Sequence, residues 1–152
     1  MKVGIGTILA LSAVVLAGCR AEMGEENLPP AEGDLSSALV KAKESGRNVL
    51  VFYDSESCPY SRQMRQQTLS DSKVKEALGD LVYVHVEQGV NAGEFEKRWG
   101  KPPTPTVVTL DSQGQPVGDM VSGVVGAADF VSYVDWAKTG EGPQPSIAMG
   151  GG

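Results

Sequence analysis

Residues 49–64 read VLVFYDSESCPYSRQM and hold one cysteine, Cys58, at the end of an apolar run, followed by Pro59, Tyr60 and Ser61. Proline suits the first turn of a helix, where its missing N–H costs nothing, so Cys58 is expected at a helix start. The thiolate is the reactive form of cysteine. Free N–H groups and the dipole at a helix N-terminus stabilise it. Ser61 returns to the same side one turn later. Its hydroxyl can donate to the sulfur but cannot attack a disulfide. The pattern therefore describes a monothiol. It forms mixed disulfides and shuffles a substrate's bonds when the substrate supplies the resolving thiol, and it does not deliver two electrons as a dithiol.

The second of the two cysteines is Cys19. It closes MKVGIGTILALSAVVLAGC, in which Lys2 precedes a charge-free apolar run. That run falls short of the roughly 20 apolar residues of a membrane span and reads as a secretory signal. Its end, Leu16-Ala17-Gly18-Cys19, resembles the bacterial lipobox, in which the cysteine is lipidated and becomes the first residue of the mature protein. A signal peptide over residues 1–18 and a lipid on Cys19 are the expectations. Cys58 would then be an unpaired thiol in an exported protein, where thiols are usually paired. More than one acyl chain gives stable anchoring. Arg20, rather than an aspartate, leans toward the outer membrane. The reading is a bacterial envelope lipoprotein, lipid-anchored and facing the periplasm. Removing residues 1–18 takes away Lys2 and moves the net charge from −6 to −7. An acidic chain lacks the basic face that a nucleic-acid partner needs.

The elements that must position Cys58 follow from patterning. Residues 19–33, with Pro29-Pro30, read as a tether. Residues 139–152 are Gly/Pro-rich and are expected to be disordered. One domain is expected between, over residues 34–138. Asp34 caps a helix with Leu35, Ala38, Leu39 and Ala42 on one face, and Gly46 stops it. Residues 48–54 are a continuous apolar run, as in a strand buried on both faces. A helix from Pro59 to about Thr68 and a short one after Ser70 lead to a second strand, 81–87. A helix over 91–99 carries Phe95 and Trp99 at i, i+4, read as core. Strands at 106–110 and 115–121 form a hairpin through Asp111–Gly114. A last helix presents Phe130, Tyr133, Val134 and Ala137. The first half favours parallel pairing and the second ends in a hairpin, which gives an α/β fold with a mixed central sheet of about four strands between helices.

These residues resemble the thioredoxin superfamily. Cys58-Pro59-Tyr60-Ser61 stands where that family has C-x-x-C. Thr104-Pro105-Thr106 stands where it has a cis-proline facing the cysteines, and Pro105 to Gly114 matches its hairpin. The resemblance covers about residues 34–138 and is nearest to the exported members. It implies a thioredoxin-like fold, with Cys58, Pro59, Tyr60 and Ser61 as the catalytic stretch and Thr104 and Pro105 binding substrate. It implies cysteine-containing envelope proteins or small thiols as partners, and no cofactor or metal. Two positions depart from the family. Phe52 replaces the buried acid six residues before the first cysteine, and Ser57 replaces the tryptophan before it. Both fit a lost redox role too, so a non-catalytic binding module stands as an alternative. Copper delivery through Cys58 with His85 or Met64 offers a thin ligand set. His85 reads as a packed or edge histidine, and Arg62 and Arg65 as a charged helix face on which Arg62 can aid thiolate formation.

Overall fold

The computed structural model describes residues 28–148. The expected signal segment, Cys19 and the tether as far as residue 27 lie outside the described residues, as do residues 149–152. Among the described residues, no helix is long and apolar enough to cross a membrane.

The chain order is α1 (Leu35–Ser45), β1 (Val49–Asp54), α2 (Pro59–Gln63), a π-helix (Met64–Leu69), α3 (Ser72–Leu78), β2 (Val82–Glu87), α4 (Gly93–Trp99), β3 (Thr106–Leu110), β4 (Pro116–Ser122) and α5 (Ala127–Ala137). Asp34 caps α1 by accepting the Ser37 N–H at 2.7 Å. Gly46 ends it in the left-handed region at φ 69°, where a side chain would be strained. The four strands are ordered β2-β1-β3-β4. β1 runs parallel to β2, with Phe52 opposite His85, and antiparallel to β3. β3 and β4 form the expected hairpin.

Strand β1 is buried along its whole length, because each parity faces a separate core. Leu50 and Phe52 pack with Met64, Leu69, Leu78, Phe130 and Tyr133 beneath the π-helix, α3 and α5. Val49, Val51 and Tyr53 pack with Leu35, Ala38, Phe95 and Leu110 beneath α1 and α4. The mixed sheet between helical layers is thus the α/β, thioredoxin-like arrangement that the patterning predicts. Central strands of this kind need apolar residues at every position, which is why β1 carries no alternation.

Three expectations are corrected. The helix after Cys58 does not stay α-helical to Thr68: it widens into a π-helix, and Ser70 N–H reaches back to the Arg65 carbonyl at 3.2 Å. Met64, Arg65, Thr68 and Leu69 all find inward partners. The tether does not extend to residue 33. Glu32 N–H bonds the Tyr83 carbonyl at 2.8 Å on the β2 edge, and Leu28 packs on the core. Within residues 139–148, read as a disordered tail, two side chains meet the domain. The Gln144 amide accepts from Asp119 N–H at 2.6 Å and donates to Asp119 O at 3.2 Å on β4, and Ile147 packs on the core.

Candidate active site

Cys58 caps α2 at its N-terminus, with extended backbone, and its sulfur is half-buried. Its backbone N–H closes a turn to the Ser55 carbonyl at 3.0 Å, and its carbonyl accepts the Arg62 N–H at 3.1 Å. Pro59 occupies the first helical position, as its fixed φ favours. Tyr60, two residues after Cys58, is 54% exposed. The Thr104–Pro105 bond is cis. The Cys58 thiol donates to the Thr104 carbonyl at 3.2 Å. The structure thus brings Cys58 and Ser61, at the start of α2, together with Thr104 and Pro105, in the loop before β3.

Ser61 is fully buried. Its oxygen accepts the Ser55 N–H at 3.3 Å, which leaves its own proton free for the sulfur. Burial pushes the Cys58 thiol up, but hydrogen bonds from the Thr104 side chain, the Ser61 backbone and hydroxyl, and the Tyr60 backbone outweigh it and hold the thiol below its ordinary value. Hydrogen bonds to the charged form favour that form. The Thr104 carbonyl, which accepts from the thiol, favours the neutral form, but the donors prevail; no second cysteine lies among the described residues.

The loop that presents Thr104 is braced. The Thr106 hydroxyl lies 2.6 Å from both the Pro103 carbonyl and the Ser122 hydroxyl. The Pro105 carbonyl accepts the Gly123 N–H at 2.8 Å. Beside the thiol, an open groove of about 470 Å³ runs between Ser55–Ser57 and Glu87–Val90, with Arg62 on its wall.

Beneath α2 lies a charged cluster that sequence reasoning missed. Asp54 is fully buried and pairs with Arg65 and with His85 Nε2, the latter at 2.7 Å. Arg65 therefore turns inward instead of joining a solvated helix face. Tyr83, buried beside them, has its hydroxyl pushed far up by burial and then by the Asp54 charge. A period-2 reading of β1 holds the signal: Asp54 shares a face with Phe52, so the strand carries a buried acid two residues beyond the expected place. Met64 and His85 each have another partner, since Met64 Sδ accepts the Val125 N–H at 3.4 Å. Neither is committed to Cys58 as a metal ligand.

Comparison with known proteins agrees with this geometry. The profile of the thioredoxin-like domain matches residues 35–138. A thioredoxin from Thermus thermophilus is 32% identical, with a TM-score of 0.60 over 71% of this chain and 85% of its own. The DsbH oxidoreductase is 20% identical, with a TM-score of 0.60 over 88% of this chain and 94% of its own. The oxidised C-terminal domain of DsbD from Neisseria meningitidis is 20% identical, with a TM-score of 0.58 over 67% of this chain and 90% of its own. The last two share the fold. No curated protein matches the chain.

Proposed function

The chain belongs to the thioredoxin-like family, and from that premise we propose that it performs thiol–disulfide exchange through Cys58 alone. The observation that carries this reading is the Cys58 sulfur at a helix start, 3.2 Å from the Thr104 carbonyl at the cis turn, with a buried serine where a resolving thiol would stand. The Cys58 thiolate attacks one sulfur of a substrate disulfide. A new S–S bond forms, and the other substrate sulfur leaves as a thiolate that takes a proton from water. A second thiolate, on the substrate or on a small thiol, then attacks the mixed disulfide and releases Cys58. When the substrate supplies both sulfurs, its bonds are rearranged with no net oxidation. The backbone around Thr104 offers an extended substrate segment a strand-like edge beside the sulfur. Cysteine-containing envelope proteins or small thiols are the proposed partners, and a lipid on Cys19 would hold the domain at the membrane.

Incubation with a disulfide substrate tests this. The natural protein should accumulate a mixed disulfide at Cys58 that reductant releases, and Cys58→Ser should not. Ser61→Cys should add insulin-reductase activity, because the new sulfur replaces a hydroxyl already close to Cys58. Partners that persist on Cys58→Ser and resist reductant would instead support a non-covalent binding module. The apolar Phe52 and the absent second sulfur fit that module equally.

A further inference from the structure

A closed circuit of contacts runs from the Cys58 helix out to the wall of the site and back. On the helix side, Met64 Sδ accepts the Val125 N–H at 3.4 Å, and the Thr68 hydroxyl donates to the Val125 carbonyl. Val125 is thus held at both its backbone groups by one turn of the π-helix. Two residues earlier, Gly123 N–H donates to the Pro105 carbonyl at 2.8 Å. Thr104, one residue before Pro105, meets the sulfur. Met64, Thr68 and Val125 are buried, so water cannot replace either bond.

We propose that Thr68 and Met64 are positioning residues: by clamping Val125 they fix the Gly123–Pro105 contact and so set the Thr104 wall against the Cys58 sulfur. The circuit gives the π-helix a role. Met64 and Thr68 lie four residues apart on one side of it, and together they meet both backbone groups of Val125. A buried carbonyl that loses its donor is penalised until it finds another, and the segment that carries it is bonded through Gly123 to the loop that holds Thr104. Substrate sees the same effect, because the groups around Thr104 border the nucleophile. The inference rests on the reading of Cys58 as the reactive thiol.

The test is the pH profile of alkylation in the full chain, followed at Cys58 by peptide mass. Thr68→Val keeps the shape and removes the donor. Displacing the Thr104 wall takes its side-chain donor from the sulfur, and that donor outweighs the carbonyl that accepts from the thiol, so the Cys58 profile should move to higher pH, with the rate at pH 7 falling about threefold or more as the thiolate fraction drops. Thr68→Ser keeps the donor and should retain the natural profile. Glu56 and Arg62, the charged residues nearest in sequence, are untouched in both. A folded Thr68→Val with the natural profile, even one with a lowered Tm, overturns the proposal. If Thr68→Val does not fold, Met64→Leu decides: it removes the acceptor of the Val125 N–H, and the same displacement supports the clamp, whereas an unmoved profile overturns it. A natural protein whose Cys58 profile already matches a free thiol overturns the reading of Cys58, and the clamp with it. A depressed natural profile that Thr68→Val leaves unmoved overturns the clamp alone.

Discussion

The Cys58 thiol is governed by opposed effects, and the hydrogen bonds prevail. Ser61 is the cleanest of them to remove. Ser61→Ala deletes one donor to the thiolate and an acceptor for the Ser55 N–H. A hydrogen bond to a charged group contributes about 1.5 kcal/mol when partly solvated, so alkylation at neutral pH should slow about three- to tenfold. The sign of the pH dependence follows from the lowered thiol. Its contribution to stability is present above the unfolded thiol value and is lost as pH falls through the folded one. The alkylation profile of the natural protein should accordingly lie at lower pH than that of an unfolded peptide, and Ser61→Ala should narrow the gap, with the Thr104 and backbone donors still in place. A profile indifferent to Ser61 would remove the hydroxyl from the account.

At the scale of elements, β1, β2 and the helix behind Cys58 are tied by the Asp54–Arg65–His85 cluster. Asp54→Ala removes the fully buried partner and strands the Arg65 charge under the helix. Breaking such a pair from one side costs about 3 kcal/mol or more, readable as a lowered midpoint in urea unfolding. Asp54→Asn should cost less, since it retains hydrogen bonding to His85. The tail is the second device. Gly118 at φ 71° leaves room that a Cβ would take from Gln144 and Trp136. The amide of Gln144 pairs with the Asp119 backbone as a neighbouring strand would. Deleting residues 141–152 loses that pairing and the Ile147 packing, a loss of about 1–2 kcal/mol, and should change the fluorescence of Trp136, whose indole N–H donates to the Gly142 carbonyl at 3.3 Å. An unchanged midpoint and spectrum would mean that the tail contributes nothing in solution.

Among the described residues, each sheet edge is met at one point by a flanking segment. Residues before α1 meet β2 through Glu32, and residues after α5 meet β4 through Gln144. Exposed edges invite pairing between chains, and an acidic chain at net charge −6 adds repulsion against it. The anchoring proposal belongs at this scale. If Cys19 carries lipid, mass spectrometry of the mature protein will find an acylated N-terminal Cys19. Cys19→Ala will leave a soluble or uncleaved chain. An unmodified terminus elsewhere would defeat it.

The elements were legible in the sequence because their signals are local. The gap-free apolar run of β1, the Asp34 cap and Gly46 stop of α1, and Pro59 after Cys58 each act within a few residues. Cys58 and Ser61 could be named from spacing, Thr104 and Pro105 from the family resemblance, and the mixed sheet that carries them from patterning. What the tertiary structure alone decided was which side chains meet. Nothing local to Arg65 says that it turns in to Asp54 and His85 rather than out to water. Nothing near Thr68 and Met64 says that they hold Val125, since each pairing joins segments about sixty residues apart. In the tail that composition marks as disordered, one amide and one isoleucine find partners on β4 and the core. Such contacts depend on which surfaces the packed sheet brings together, and no short window of the chain contains both partners.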